Sequence, residues 1–136
     1  PFVVHVNKEI VNMANEFKEK GISFIAISSN DIKNYPEDNP EKMSQTVIKE
    51  KYTFPYLFDE TQEVAIQYDA ACTPDFYIFD KNKKLIYRGQ MDDSRPGNKI
   101  PVTGKDIRNV FNCVLTSKKI NPTQKPSIGC NIKWKN

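Results

Sequence analysis

The side chains best equipped for chemistry in this 136-residue chain are three cysteines, Cys72, Cys113 and Cys130, and a lone histidine, His5. A cysteine reacts as its thiolate, so the chemistry within reach is thiol–disulfide exchange or peroxide reduction. Other chemistries fit poorly. The cysteines lack metal-site spacing, and one histidine cannot complete a zinc set or a hydrolytic triad. No cofactor is implied beyond a thiol reductant. Cys113 precedes Val114 in an amphipathic stretch and reads as a small core residue. Cys72 and Cys130 stay open, either as reactive partners or as buried, inert thiols.

These residues need a scaffold, and the length suits one domain. The formal charge of +3 is small and its lysines are scattered, which gives no reason to invoke nucleic acid or an anionic membrane. Lys81, Lys83 and Lys84 cluster in a predicted turn and read as a solvated loop. No run approaches the ~20 apolar residues that a bilayer span needs. An odd number of free cysteines leans toward a reducing cytoplasm; a signal upstream of Pro1 would point instead to a periplasmic or exported protein. No motif speaks to oligomeric state.

Apolar spacing at Val3, Val4, Ile10, Val11, Ala14 and Phe17 predicts a first helix stopped by Gly21. Residues 22–28 form an almost continuous apolar run, which predicts a strand buried on both faces of a parallel sheet. Asn39 as cap and Pro40 in the first turn predict a helix over 40–51. A short strand over 54–59 follows, then a short helix over 61–68 with Val64, Ala65 and Tyr68 inward. Residues 75–80 and 85–89 predict an antiparallel hairpin around the turn at 81–84. After a polar loop, Thr103 caps a helix over 103–116 with Ile107, Val110, Phe111, Val114 and Leu115 inward. Residues 1–120 thus read as one α/β domain and 121–136 as an extension packed on or near it.

The step Cys72-Thr73-Pro74-Asp75 just before a strand resembles the cis-proline loop of thioredoxin-like proteins. In those proteins the loop faces the reactive cysteine and offers backbone to a substrate chain. The plainer alternative is a proline that simply opens a strand; the order of elements favours the cis form. The likeness extends further, through Pro1-Phe2-Val3-Val4-His5, Ser28-Ser29-Asn30-Asp31, Phe54-Pro55-Tyr56-Leu57, Tyr87-Arg88-Gly89-Gln90 and Gly129-Cys130-Asn131-Ile132-Lys133-Trp134. Together these motifs resemble the peroxiredoxin-like branch of the AhpC/TSA and thioredoxin families.

The resemblance implies a thioredoxin-like fold, a mixed sheet flanked by helices, whose first central strand is missing from this chain and expected upstream of Pro1. It also implies a reactive cysteine immediately before Pro1, at the N-terminus of the first helix, where free N–H groups stabilise a thiolate. The site would then comprise Pro1, Phe2, Cys72, Thr73, Pro74 and Cys130, with Cys72 or Cys130 as resolving partner. His5 either tunes the thiolate or packs as an ordinary helix residue. Asp92-Asp93-Ser94-Arg95 is either a recognition loop or a loop held by its own hydrogen bonds.

Three functions follow as expectations: a thiol–disulfide oxidoreductase, a thiol peroxidase with antioxidant activity, or a redox-inactive interaction domain. The partners would be a protein or small-molecule disulfide, or a hydroperoxide, together with the thiol reductant. In typical peroxiredoxins an arginine precedes the strand at 75–79. Here Cys72-Thr73-Pro74 fills that place, which favours disulfide exchange, with Arg88 and Arg95 as possible substitutes.

Overall fold

In the computed structural model, which describes residues 1–136, helix α1 (Phe2–Lys18) opens the chain. Its buried side chains Val6, Val11, Met13, Ala14 and Phe17 follow the helical period, whereas Val4, expected inward, is exposed. The chain forms two compact units, one of Pro1–Glu9 with Cys72–Cys130 and the other of Ile10–Ala71 with Asn131–Asn136.

In the second unit, β1 (Ala26–Ser28) pairs in parallel with β2 (Tyr56–Phe58), in the register Ala26↔Tyr56, Ile27↔Leu57 and Ser28↔Phe58. Phe24 and Ala26 pack on the cluster of Val11, Ala14 and Phe54, and the Tyr52 ring stacks on Phe54 at 4.7 Å. The expected two-sided burial of residues 22–28 is not observed. Ile25 is 64% and Ile27 42% exposed. The reason is the pleat, which sends alternate side chains to opposite faces, and only the face holding Phe24 and Ala26 meets the core.

Helix α2 (Pro40–Glu50) begins where its sequence says it should, with Asn39 Oδ1 accepting the Lys42 N–H at 2.8 Å. It ends at Lys51, whose φ of 58° is left-handed. Asn39→Ala should lower the denaturation midpoint by the equivalent of about 1 kcal/mol. Helix α3 (Glu63–Gln67) is shorter than expected, and Tyr68 falls at its exposed C-terminal cap rather than inward. Buried Asp59 anchors its start, accepting from Ser29 Oγ at 2.7 Å and Ala65 N–H at 3.0 Å. Burial alone would push the Asp59 carboxyl up. The Ser29 hydroxyl and the N–H groups of Ala65, Val64 and Gln62 outweigh it and hold the carboxyl below its ordinary value.

Gln62, also buried, gathers three stretches of this unit. Its Nε2 donates to Ser29 O at 2.6 Å and to Lys133 O at 2.9 Å, and its Oε1 accepts the Lys135 N–H at 3.0 Å. Lys133 O also accepts the Asp31 N–H at 2.7 Å. The final residues are therefore structured parts of this unit.

In the first unit, β3 (Phe76–Phe79) and β4 (Leu85–Gly89) form the expected hairpin, paired from Phe76↔Gly89 to Phe79↔Leu85 with a bulge after Ile78. Asp80 Oδ1 closes its turn by accepting from Asn82 N–H and Lys84 N–H. Burial, and then the nearby Asp106 carboxylate, push the Tyr87 phenol up to about 12; its hydroxyl donates to Gln90 O. Helix α4 (Lys105–Leu115) buries Ile107, Val110 and Phe111, but Val114 and Leu115 are exposed, because its buried stripe closes at Phe111 and the last turn lies beyond it.

The single mixed sheet of the expectation is not formed within the chain. The strands make two separate pairs, one parallel and one antiparallel, and the chain has no further strand to join them. No helix is long and apolar enough to cross a membrane.

Candidate active site

A cleft in the first unit collects residues from distant parts of the sequence. Phe2 and His5 come from α1, Pro74 from the loop before β3, Ser94 and Arg95 from the loop after β4, and Ile128 from the C-terminal tail. Two expected site residues, Phe2 and Pro74, thus meet in one place. Pro1 is exposed at the helix start, where its carbonyl accepts the His5 N–H at 3.0 Å, and it does not line the cleft. The Thr73–Pro74 peptide is cis.

Thr73 and Cys130 are joined directly. Thr73 N–H donates to Cys130 O at 2.8 Å and Cys130 N–H returns the bond to Thr73 O at 3.0 Å, an isolated antiparallel bridge. Gly129 permits the approach, since a Cβ there would overlap the Thr73 carbonyl. All three cysteines are free thiols, with Cys72 buried and the other two half-buried. Cys113 is therefore not the enclosed core residue its spacing suggested. The Cys72 thiol lies 3.7 Å from Pro74 O. Burial, and then the Asp75 carboxylate, push its pKa up, against the pull of Arg88 and Arg95. That environment makes Cys72 a poor source of thiolate.

The loop after β4 is built on Asp92, which is 2% exposed. Its Oδ1 accepts the Ser94 N–H at 2.9 Å, and its Oδ2 accepts the N–H groups of Thr103 and Gly104, each at 2.8 Å. Asp92 thereby holds the two residues that lead into α4. The first-turn N–H groups of Asp106 and Ile107 bond Met91 O at 3.0 and 3.4 Å, the capping role the sequence assigned to Thr103, whose hydroxyl accepts only a 3.3 Å bond from Lys105 N–H. Arg95 ties the loop from inside, donating to Asp92 O, Ser94 O and Gln90 Oε1 at 2.7, 2.8 and 2.5 Å. Its remaining nitrogen, Nε, is buried without a hydrogen-bond partner. Hydrogen bonds from Lys105, Gln90 and Lys125 hold the half-buried Asp93 carboxyl well below its ordinary value. Of the two readings offered for Asp92-Asp93-Ser94-Arg95, the loop held by its own bonds is therefore present in full.

His5 is drawn into this network, with its Nε2 2.7 Å from Ser94 Oγ. Ser94 Oγ gives its one proton to Ile100 O at 2.6 Å, so His5 Nε2 must be the donor. Arg88 is engaged elsewhere, 3.5 Å from the Asp75 carboxylate and over the Tyr77 ring at 5.3 Å. Of the two candidate arginines, Arg95 alone lines the cleft. No group of three or more His, Cys, Asp or Glu side chains is arranged to hold a metal ion.

Sequence reasoning missed Gln90, which links Arg95 to Asp93 and Asp106, and the tail residues Gln124 and Ser127, which bond the edge of β4. Only the Gly129-Cys130 step hinted that the tail comes close to other backbone.

A family model described as the AhpC/TSA family matches residues 4–88. Among solved structures, an uncharacterized conserved protein from Geobacillus kaustophilus is 59% identical with a TM-score of 0.97, over 99% of this chain and 71% of its own. A hypothetical protein from Sinorhizobium meliloti 1021 is 46% identical, also with a TM-score of 0.97, over 99% of this chain and 74% of its own. No match was found among curated proteins. With the matched model spanning most of the chain, from α1 through β4, the chain belongs to the AhpC/TSA family, a peroxiredoxin-like family of the thioredoxin superfamily with its thioredoxin-like fold.

Proposed function

We propose that this protein is a thiol–disulfide oxidoreductase whose attacking thiolate is a cysteine immediately before Pro1 and whose resolving thiol is Cys130. Membership of the AhpC/TSA family supports thiol-based redox chemistry in general. The observation that carries the finer reading is the cleft where the start of α1 meets Pro74, beside the Thr73–Cys130 bridge. A thiolate at the head of α1 would gain from the helix N–H groups. It attacks one sulfur of a substrate disulfide, forming a mixed disulfide and releasing one substrate thiolate. The Cys130 thiolate then attacks the protein sulfur of that mixed disulfide. The second substrate thiolate leaves, an intramolecular disulfide remains, and two equivalents of a thiol reductant restore both protein thiols. Buried Cys72, its thiol pKa raised, is the weaker candidate for the resolving role.

A thiol peroxidase is the second reading. It is favoured by one observation, the Nε–H of Arg95, a donor buried without a partner on a residue that lines the same cleft. The test is the residue encoded immediately before Pro1, followed by rates on a small disulfide and on hydrogen peroxide. Cysteine there, with faster turnover of the disulfide, is the expected result. Serine or alanine overturns both enzymatic readings and leaves the interaction domain; peroxide consumption outrunning disulfide turnover hands the function to the peroxidase.

A further inference from the structure

Residues 124–130 run along backbone that would otherwise be open. Gln124 Oε1 accepts the Arg88 N–H at 3.0 Å and its Nε2 donates to Ile86 O at 3.1 Å, both on the edge of β4 that does not face β3. Gln90 N–H donates to Lys125 O at 2.9 Å, and Ser127 Oγ donates to Gly89 O at 2.6 Å. The tail then reaches the cleft through Ser127 and Ile128 and crosses to Thr73.

An extended polypeptide docks on a fold by pairing its backbone with unpaired N–H and C=O groups at an edge. Pro74 has no N–H to offer. The residue beside it that could pair is Thr73, and both of its backbone groups are already bonded to Cys130. The side chain of Thr73 adds a 3.5 Å contact to the same carbonyl. The contact is tight as well as complete, because no residue larger than glycine fits at position 129 without displacing the Thr73 carbonyl.

We propose that residues 124–130 form a built-in segment that occupies the docking edge beside Pro74, so that the site admits low-molecular-weight disulfides and turns away extended polypeptides. This assignment of substrate class rests on the oxidoreductase reading. Cys130 holds the position that a residue of a docked chain would take, which places a thiol of the protein itself at that edge. Gly129 is then a specificity-determining residue, for it lets the tail close on Thr73.

The experiment uses the full-length protein and two probes. One is oxidised glutathione. The other is a synthetic extended peptide with an S-methylthio cysteine at its centre, made also with serine there as a non-reactive form. The native protein should turn over oxidised glutathione, while the serine peptide leaves the amide shifts of Thr73 and Cys130 unmoved. Gly129→Val should open the bridge, seen as lost hydrogen-exchange protection at Cys130. It should also raise peptide affinity and peptide turnover relative to glutathione by about 30-fold, the equivalent of two backbone hydrogen bonds. If Gly129→Val does not fold, Gln124→Ala loosens the same tail without a clash, with about 5-fold expected in the same direction. Peptide bound at Thr73 in the native protein overturns the proposal, as does an opened bridge that gains no peptide. Loss of glutathione turnover alone, with the peptide binding only the variant, sinks the oxidoreductase reading and leaves the occupied edge standing.

Discussion

Replacing Asp92 by alanine is expected to lower the stability of this protein by about 3 kcal/mol. The carboxylate is 2% exposed and accepts three backbone N–H groups, from Ser94, Thr103 and Gly104. Alanine would strand those donors, and water cannot replace the lost acceptor without opening the loop. The loss should appear in urea as a lower midpoint with an unchanged slope. Asp93→Ala is the control. Its half-buried carboxyl accepts from Gln90 and from two lysine side chains that solvent also reaches, and it holds no backbone N–H, so a smaller loss is expected. Equal midpoints for the two variants would show that Asp92 does not hold the loop.

The second large effect concerns turnover. Cys130→Ser should slow multiple-turnover reduction of a small disulfide by about 100-fold, because the mixed disulfide then waits for an external thiol. Cys72→Ser should stay within about 3-fold of the native rate, since a buried thiol with a raised pKa forms little thiolate at neutral pH. Trapping of the mixed disulfide in Cys130→Ser, read by mass spectrometry, would identify the stalled step. The reverse ranking of the two variants would move the resolving role to Cys72.

Local features of the fold were readable in the sequence and long-range ones were not. Asn39-Pro40 announces α2, and the two strand-length runs on either side of Lys81-Asn82-Lys83-Lys84 announce the hairpin, because each signal is complete within a few residues. The sequence assigns the start of α4 to Thr103, but the acceptor of its first-turn N–H groups, Met91 O, lies across the preceding loop. The run 22–28 misled for another reason. Ile25 and Ile27 are as apolar as a doubly buried strand requires, but composition does not report which faces are covered. At the site, Thr73-Pro74 and Cys130 were each singled out, yet their pairing spans 57 positions and follows from no local rule. The serine partner of His5 lies 89 positions away and was equally hidden.

The tail has one more consequence, for solubility. A hairpin presents two outer rows of backbone donors and acceptors, and an uncovered row is a template on which other molecules of the same protein can add strands. Bonds from Gln124 and Ser127 cover part of that row on β4. Between them Gln90 N–H is committed to Lys125 O, and a Cβ at Gly89 would overlap that same carbonyl. Proteolytic nicking before residue 124 would therefore expose a sticky margin as well as remove a thiol. Intactness of the C-terminus is then a condition for keeping the protein from self-association in concentrated solution.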